Sequence, residues 1–297
     1  MTENITAVKN EIRELRDGNI SVLEIKGNNL PDPAKTFDCG QCFRFERAER
    51  ARHDSEWEGV AFGRRVSFAK EGDRLYIYNS TEKEFDAVWR KYLDLDTDYG
   101  AIDRDILSRS DSEALRNAVA FGQGIRILRQ DPWETVCSFI ISQNNNIPRI
   151  KKIVRALCER AGERVSGTDE FSFPTAEAVR ELGAEGLFEL KTGFRAKYIY
   201  DAASRVSSGE TSLDEIFKLE TALGAEELCK IKGIGPKVAA CALLFGFGKY
   251  DAFPVDVWIK KVIGKYFSGE LDTGALGPYA GVAQQYLFYY ERYLGGE

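Results

Sequence analysis

The hydrophobic period of the chain changes near residue 80, and this change limits the folds that are open to it. Residues 64–80 read RRVSFAKEGDRLYIYNS, in which Val66 and Phe68 alternate with polar neighbours before the turn sequence EGD. Alternation on both sides of a short glycine-containing turn predicts an antiparallel hairpin. The segment WEGVAF at 57–62 predicts a neighbouring strand, and the stretch from about 20 to 80 is typical of strands as a whole.

A helical period begins at about residue 82 and continues towards the C-terminus, interrupted by glycine and proline. In EKEFDAVWRKYL (82–93) the large apolar side chains share one helical face: Phe85, Val88, Trp89 and Tyr92. Strands followed by helices predict an α+β chain. We therefore expect an N-terminal antiparallel sheet domain over residues 1–118 and an all-α domain over residues 119–297.

Two helix starts in the second part carry their own signals. In DPWETVCSFIISQNNN, Asp131 is expected to be an N-cap, and Pro132 follows at the first helical position. The segment FPTAEAVREL predicts another start at Pro174 or Thr175.

The composition limits the class of protein. The chain has 297 residues, of which 43% are apolar, as expected of a globular protein with two domains. No apolar run approaches the ~18 residues of a membrane span. The first 19 residues are charged without an apolar signal core, and the six cysteines follow no disulfide framework. These features predict an intracellular protein that does not bind membranes, in the cytoplasm or nucleoid if the source is prokaryotic.

Charge and metal ligands give weaker indications. The net charge of −6 argues against a nucleic-acid protein, whose surface is usually basic. Basic residues nevertheless cluster in RIKKIVR (149–155) and FRAKY (194–198), each of which is either a solvated helix face or part of a positive surface. Cys39 and Cys42 form the only C-x-x-C pair and His53 is the only histidine, so no metal site is expected.

Residues 232–241 read KGIGPKVAAC, a glycine-rich turn between two helical patterns. Gly233 and Gly235 are expected to let the backbone turn tightly and to let a phosphate approach the N–H groups of the next helix. Pro236 suits the first helical turn, and Lys237 follows it. The pattern predicts a helix-hairpin-helix. Its lysine is either simply solvated, part of a module that binds the DNA backbone, or catalytic.

Asp256 strengthens the catalytic interpretation. It lies in DAFPVDVW (251–258), at the expected start of the next helix, where an aspartate is also a common N-cap. A lysine at one helix N-terminus followed by an aspartate at the next gives an amine nucleophile and a carboxylate that can face one cleft.

The succession of helix-hairpin-helix, G-x-G-x-K and P-V-D resembles the helix-hairpin-helix DNA glycosylases that carry a Gly/Pro-rich loop and an aspartate. Four further segments are similar to the 8-oxoguanine DNA glycosylases of that superfamily: GQCFRF (40–45), GIRILRQDPWETVCSFIISQNNNIPRI (124–150), GFRAKYI (193–199) and GPYAGVAQQYLF (277–288). The similarity covers about residues 37–288. It implies an N-terminal antiparallel (TBP-like) sheet domain before a helical HhH-GPD glycosylase domain.

Two features of the chain point to one branch of this superfamily. No cysteine follows Cys241, so the chain lacks the iron–sulfur cluster of the thymine-glycol and adenine glycosylases. The alkyl-base glycosylases usually lack the lysine that stands at position 237. Both features favour the branch that removes oxidised guanine.

The resemblance implies a bifunctional repair enzyme that flips out and excises 8-oxoguanine from duplex DNA, opposite cytosine. Lys237 would form a Schiff base from which the strand is cleaved by β-elimination, and Asp256 would stabilise the positive charge on the sugar. It also implies a monomer without an organic cofactor, with a possible hairpin-bound cation that bridges to a DNA phosphate. Two alternatives remain: a glycosylase for another oxidised or alkylated base, and a non-catalytic helix-hairpin-helix DNA-binding protein.

The same resemblance assigns the recognition of the flipped base. Phe288 would stack on the ring, although an ordinary core role is the alternative, and Cys241 would lie on the other side. Gln284 would bond the Watson–Crick edge. The carbonyl of Gly40 would accept the N7–H that 8-oxoguanine has and guanine lacks. Cys39 and Cys42 are expected to be small buried residues and not a redox pair.

The remaining DNA contacts are also implied by resemblance. Asn144 would fill the hole left by the flipped base, where the alternative is a polar helix end. Arg149 and Arg195 would bond the orphaned cytosine, with Phe194 as a wedge beside it. Many relatives carry tyrosine at the position of Phe194 and histidine at that of Trp258, so a hydroxyl is missing at the first position. At Trp258, contact with a DNA phosphate depends on the indole N–H.

Overall fold

The computed structural model describes residues 11–294. Residues 1–10, on which part of the expectation about the N-terminus rests, lie outside this range. Six strands are present in the described part: β1 (Glu11–Asp17), β2 (Ile20–Lys26), β3 (Phe45–Arg47), β4 (Glu56–Ala61), β5 (Arg64–Glu71) and β6 (Arg74–Tyr78). They form one antiparallel sheet in the order β1-β2-β6-β5-β4-β3.

The predicted hairpin and its neighbouring strand are confirmed. Strands β5 and β6 pair with Phe68 opposite Ile77, and β4 pairs with β5 on its other side. Gly72 takes a φ of +58° in the turn, where glycine carries no steric cost.

The structure departs from the expectation in two places. Strand β1 is an edge strand whose side chains are almost all exposed, so it has no buried face to produce an alternating pattern. Residues 33–38, which fall in the stretch expected to be strands, form helix α1 (Pro33–Asp38). Its signals are the same as those at Asp131: the Asp32 side chain accepts a hydrogen bond from the Lys35 amide at 3.3 Å, and proline occupies the first turn.

The core of the sheet domain is aromatic. The Phe37 ring stacks on Phe45 at 4.3 Å and on Phe68 at 5.3 Å between centroids. The predicted helix over 82–93 covers the same face. It consists of α2 (Glu82–Glu84), a π-helical turn (Phe85–Trp89) and α3 (Arg90–Tyr92). Its start carries a capping box of Thr81 and Glu84.

The rest of the described chain is helical. Its helices are α4 (Tyr99–Ser108), α5 (Glu113–Phe121), α6 (Pro132–Ser142), α7 (Ile147–Ala161), α8 (Ala176–Glu181), α9 (Gly183–Leu187), α10 (Ala196–Ser207), α11 (Leu213–Lys218), α12 (Thr221–Cys229), α13 (Pro236–Phe245), α14 (Val257–Tyr266) and α15 (Ala280–Leu294). A π-helical turn (Phe188–Thr192) and 3-10 turns (Gly193–Arg195 and Gly277–Tyr279) complete them. The expected cap at Asp131 is present, and Thr175 caps the helix expected to start at Pro174 or Thr175. An antiparallel sheet followed by a helical part is confirmed.

Helices α4 and α5 share the core of the later helices. Tyr99, Ile102 and Leu115 belong to the same buried cluster as Tyr286 of α15. The cluster under the sheet contains residues from 23 to 93 together with Leu128. A boundary between residues 118 and 119 stays a prediction.

In the range 11–294, none of the helices has the length and apolar character that crossing a membrane requires. All six cysteines are free thiols, and Cys39 and Cys42 are buried as expected. Burial raises the pKa of the Cys39 thiol to about 12 and also raises that of Cys42, so both stay neutral near pH 7.

A buried polar network ties the sheet domain to the helical part. The Asp94 carboxylate, which follows α3, accepts hydrogen bonds from Tyr99 Oη at 2.9 Å, from Arg129 Nε at 3.2 Å and from the Tyr250 hydroxyl. Arg129 also donates to the Gly248 carbonyl at 3.1 Å. The network therefore joins segments that are far apart in the sequence.

We expect Tyr250→Phe to lower the free energy of unfolding by about 1–3 kcal/mol, because it leaves buried charged groups short of a partner. Urea unfolding measures this change. The matched control is Tyr200→Phe at an exposed tyrosine, which should change the value by less than about 0.5 kcal/mol. Equal, small effects of the two substitutions would show that the network does not hold the two parts together.

Candidate active site

A cavity of about 630 Å³ lies between the turn after α1 and the helical part. Its walls come from that turn, the end of α6, the hairpin before α13, the start of α14 and α15. Most of the predicted site residues line it: Gly40, Asn144, Gly235, Lys237, Cys241, Asp256, Trp258, Gln284 and Phe288. Four others are outside its lining: Arg149, Phe194, Arg195 and Gly233.

The hairpin between α12 and α13 needs glycine at only one of its two positions. Gly233 has a φ of +82°, and a Cβ there would lie 2.3 Å from Cγ of Tyr198. Gly235 has a φ of −105°, which any residue adopts, and a Cβ there would meet no atom within 4 Å. The expectation that Gly235 is needed for the turn is therefore wrong. Its open surroundings agree with the other expectation, that an anion can approach the helix N-terminus.

Lys237 lies in the first turn of α13 and is half-buried. Its Nζ is 5.6 Å from the centroid of the Phe139 ring. Burial raises the pKa of the Cys241 thiol, one turn further along the helix, to about 11, and the adjacent Lys237 ammonium opposes this shift. Cys241 is therefore a neutral, weakly polar part of the wall, on the same face of the helix as the amine.

Asp256 combines a structural role with a place in the cavity. Its Oδ1 accepts a hydrogen bond from the Ile259 amide at 2.8 Å, so the expected N-cap of α14 is present. The carboxylate is also close enough to act electrostatically on the Cys241 thiol. The lysine, the thiol and the carboxylate thus meet at one end of the cavity.

Gly40 and two residues of α15, Gln284 and Phe288, form another part of the cavity wall. Gly40 has a φ of +77°, and a Cβ there would be 3.5 Å from the Phe288 ring. Phe288 is only half-buried and faces the cavity, which a purely structural core residue would not do. Gln284 is 4% exposed, and its buried Oε1 receives no hydrogen bond from the residues between 11 and 294. A buried acceptor without a partner costs about 1–3 kcal/mol, so this oxygen is suited to a ligand that donates N–H.

The loop after α6 is held by Arg195. This side chain is 2% exposed. Its guanidinium donates to the carbonyls of Gln143 (2.8 Å from Nε), Asn144 (2.9 Å) and Thr192 (3.1 Å). Burial and the nearby Arg149 both lower the pKa of Arg195. The expected contact of Arg195 with a cytosine stays a prediction. For that contact the guanidinium would have to give up hydrogen bonds to these carbonyls.

Asn144, Arg149 and Phe194 are exposed beside this loop. Asn144 has a φ of +47°, a left-handed conformation that asparagine tolerates better than most residues. Arg149 lies in the first turn of α7, with Nη2 3.4 Å from the Lys191 carbonyl. The Phe194 ring is 49% exposed and lies 4.4 Å from the Arg195 guanidinium carbon. An exposed ring supported by a fixed cation has the form expected of a wedge.

The basic segment 149–155 has two faces. Lys151 donates to the Phe45 carbonyl at 2.6 Å, and Arg155 pairs with Glu46 at 3.1 Å. These contacts join α7 to the sheet domain, while Arg149 and Lys152 are exposed. In the segment 194–198, Lys197 is exposed in the same way.

Among the cavity residues that sequence reasoning missed are Phe139 beneath the lysine, Val257 and Gln285. Val257 is 76% exposed in the first turn of α14, next to Trp258 at 36%. Gln285 is buried and donates from Nε2 to the Cys39 carbonyl at 2.6 Å. The only signal for Gln285 in the sequence is its position beside Gln284.

Within residues 11–294, no group of three or more His, Cys, Asp or Glu side chains is arranged to hold a metal ion. His53 instead stacks on Tyr76 at 4.6 Å and shares a hydrogen bond with the Tyr78 hydroxyl at 2.6 Å. A cation bound at the hairpin stays a prediction.

Family models cover both parts of the chain. Residues 22–136 match the model of the 8-oxoguanine DNA glycosylase N-terminal domain. Residues 137–273 match the model of the HhH-GPD superfamily of base excision DNA repair proteins.

Individual proteins give the same result. The N-glycosylase/DNA lyase of Saccharomyces cerevisiae is 40% identical over 154 residues, which make up 47% of this chain and 41% of the yeast protein. The chain spans about half the length of the curated relatives it matches. The apo-form of the Clostridium acetobutylicum 8-oxoguanine glycosylase/lyase is 41% identical with a TM-score of 0.85, over 94% of this chain and 98% of that one. Its complex with double-stranded DNA containing cytosine opposite 8-oxoguanine is 40% identical, with a TM-score of 0.85 over 97% and 99%.

The two hairpin glycines provide a matched pair of substitutions. Gly233→Ala should lower the free energy of unfolding by roughly 2–4 kcal/mol, because it adds left-handed strain to a clash with Tyr198. Gly235→Ala should cost less than about 1 kcal/mol, since it changes only the helix cap. Thermal or urea unfolding compares them. A loss at Gly235 as large as that at Gly233 would contradict the assignment of the turn.

Proposed function

This chain belongs to the 8-oxoguanine DNA glycosylase family of the helix-hairpin-helix base excision repair superfamily, and we propose that it excises 8-oxoguanine from duplex DNA and then cleaves the strand. The proposal includes cytosine as the preferred opposite base. It places the reaction inside the cell, where chromosomal DNA is found, and has the protein act as a monomer. It requires no organic cofactor, and a cation at the hairpin would only assist phosphate binding.

The observation that carries the proposal is the buried, unpartnered Oε1 of Gln284 in a cavity that also holds Lys237 and Asp256. The Watson–Crick edge of 8-oxoguanine presents N1–H and an amino group, two neighbouring donors. Adenine-type edges offer one donor and one acceptor nitrogen. A buried acceptor in this place therefore favours a guanine-type base over an alkylated adenine.

The damaged base must leave the DNA duplex to enter the cavity. We place it against Phe288, with Cys241 on its opposite side and N7 towards the Gly40 carbonyl. The deoxyribose C1′ then lies at the end where Lys237 and Asp256 meet. In this proposal the exposed Asn144 fills the gap that the flipped base leaves in the duplex.

Lys237 acts as the nucleophile. Its neutral amine bonds to C1′ as the bond to the base breaks, and Asp256 stabilises the positive charge that develops on the sugar. The C1′–O4′ bond of this adduct then breaks, O4′ takes the proton lost by the lysine nitrogen, and a Schiff base remains at C1′. The Schiff base acidifies C2′, and loss of that proton expels the 3′ phosphate. The helix cap holds the carboxylate of Asp256 in one orientation before the substrate arrives.

The surrounding surface binds the duplex. Gly235 gives a phosphate access to the N-terminus of α13, while Gly233 supports the turn and Trp258 offers an indole N–H nearby. Phe194 wedges beside the orphaned cytosine. Arg149 is exposed and can donate hydrogen bonds to that cytosine directly. Arg195 can do so only after it gives up its hydrogen bonds to the loop carbonyls.

We expect the protein to cut duplexes that carry 8-oxoguanine opposite cytosine, and to cut those that carry hypoxanthine, alkyladenine or thymine glycol far more slowly. Borohydride should trap a covalent protein–DNA adduct. Lys237→Gln should abolish trapping and keep lesion binding, because only the nucleophile is lost. Gel analysis of cut strands and adducts measures both.

The matched control is Lys232→Gln, which removes an exposed lysine of the same hairpin that pairs with Asp201 at 3.7 Å. It should leave trapping intact. Adducts that survive Lys237→Gln would assign the chemistry to another amine. Preferred cutting of another lesion in the panel would assign the site to a different base, and no cutting at all would support a DNA-binding protein.

Arg149→Ala should relax the preference for cytosine over adenine opposite the lesion by about 1–3 kcal/mol, the usual worth of a good base contact. A guanidinium only donates, and cytosine offers O2 and N3 as acceptors. Single-turnover rates on the two duplexes give the ratio. Arg155→Ala, on the same helix but paired with Glu46, should leave the ratio unchanged. An unaltered ratio in Arg149→Ala would remove this residue from opposite-base recognition.

A further inference from the structure

The direction of the Gly40 carbonyl needs an explanation. Glycine at a φ of +77° has no side chain to fix the adjoining peptide groups, and its backbone can rotate more freely than that of any other residue. Recognition of one proton on a base requires the opposite: a carbonyl held in one orientation. Something outside Gly40 must therefore fix it.

Two glutamine side chains hold the carbonyls on either side of Gly40. Gln285 of α15, which is 2% exposed, donates from Nε2 to the Cys39 carbonyl at 2.6 Å. Gln130, just before α6, donates from Nε2 to the Gln41 carbonyl at 2.7 Å. Both amides come from segments far along the chain, so the helical part helps to fix the turn.

The Cys39 thiol also holds this turn. Its Sγ is buried, donates to the Thr36 carbonyl at 3.1 Å and accepts from Gln41 Nε2 at 3.1 Å. Together with the bonds from Gln285 and Gln130, these contacts fix the peptide groups on both sides of Gly40, so the Gly40 carbonyl has little freedom to rotate. Gly40 lines the cavity, so the fixed peptide group lies in the cavity wall.

We propose that Gln285 and Cys39 are positioning residues that fix the direction of the Gly40 carbonyl and thereby set the recognition of N7–H in the base. The inference rests on the proposed function, because it assigns these residues to the selection of 8-oxoguanine. Both residues line the cavity, and the role assigned to them acts through the Gly40 carbonyl. Loss of either one frees the Cys39–Gln41 peptides to rotate, and the carbonyl then spends part of its time turned from the cavity.

A structural role alone would have a different signature. Strand cleavage at a preformed abasic site needs Lys237 and Asp256 but no base, so it does not depend on the Gly40 carbonyl. A general loosening of α15 or of the turn would slow both reactions. A positioning role slows base excision and leaves cleavage of the abasic site unchanged.

The test uses the full chain with Gln285→Met, which keeps the side-chain length and removes the donor. Single-turnover excision from an 8-oxoguanine–cytosine duplex should fall by about 10- to 100-fold, because the base loses a hydrogen bond and leaves buried groups unpaired. Cleavage of a preformed abasic-site duplex should stay within about threefold. The control is Gln123→Met, since Gln123 bonds Asp103 at 2.6 Å and Asp103 bonds Tyr286 of α15 at 2.9 Å. It loosens the same helix without touching the turn, and should leave the ratio of the two rates unchanged.

Two substitutions at Cys39 test the same proposal if the Gln285→Met variant does not fold. Cys39→Ala should lower the ratio of excision to abasic-site cleavage by about tenfold, and Cys39→Ser should restore it, because a hydroxyl can still accept from the Gln41 amide. Equal losses in both reactions, or no loss in either, would overturn the positioning role. A wild-type protein that cleaves abasic sites but does not release 8-oxoguanine would overturn the proposed substrate, and the positioning role with it.

Discussion

The hydrogen bonds of the Gln41 side chain join the sheet domain to the helical part, and the position of Gly40 in the cavity depends on them. Gln41 is fully buried, donates to the carbonyls of Thr36 at 2.9 Å and Arg126 at 2.7 Å, and accepts from the Leu128 amide at 2.9 Å. Buried amides of this kind are costly when only partly satisfied, so the interface has one favoured arrangement. Gly40 is the next residue, and its position is therefore defined by the contact between the sheet domain and the helical part. In the proposed function, base recognition at Gly40 would depend on the same few hydrogen bonds that hold the fold together.

Helix N-termini position Lys237 and Asp256 in the cavity wall. Lys237 and Asp256 each belong to the start of a helix, and the first-turn geometry places each side chain before any ligand binds. The Ile259 amide donates a hydrogen bond to one oxygen of Asp256. This bond fixes the carboxylate and uses one of its acceptor sites. A preorganised charge of this kind stabilises a developing cation without reorientation during the reaction. The N-cap and catalytic interpretations of Asp256 are thus parts of one arrangement.

Local signals were sufficient for much of the fold. Alternation predicted β5 and β6, and the Asp-Pro pair predicted the start of α6, because these features depend on residues close in sequence. Most of the site residues that were named from the order of the motifs line one cavity in the structure. The sequence could not predict that Arg195 is committed to the loop after α6, since two of its three carbonyl partners, those of Gln143 and Asn144, lie about fifty residues away in the chain. Strand β1 was missed for a related reason: it pairs through its backbone, and its exposed side chains carry no pattern.

The chemical difference between 8-oxoguanine and guanine at N7 is a single proton, and one hydrogen bond separates them by only about 0.5–1.5 kcal/mol. A fixed Gly40 carbonyl increases the difference, because the lone pair on N7 of guanine would then face a carbonyl oxygen that cannot turn away. The two unpaired acceptors add about 1–3 kcal/mol, so the combined factor is roughly ten to a thousand, at about 1.4 kcal/mol per tenfold. Undamaged guanine is far more abundant than that factor can offset. The remaining selectivity must come from position: a guanine pushed away from the carbonyl also moves its C1′ relative to Lys237, and an error of about 1 Å at the reacting atom costs around a hundredfold in rate. In the proposed function, a rigid turn at Gly40 would therefore act on the chemistry at Lys237 through the base itself.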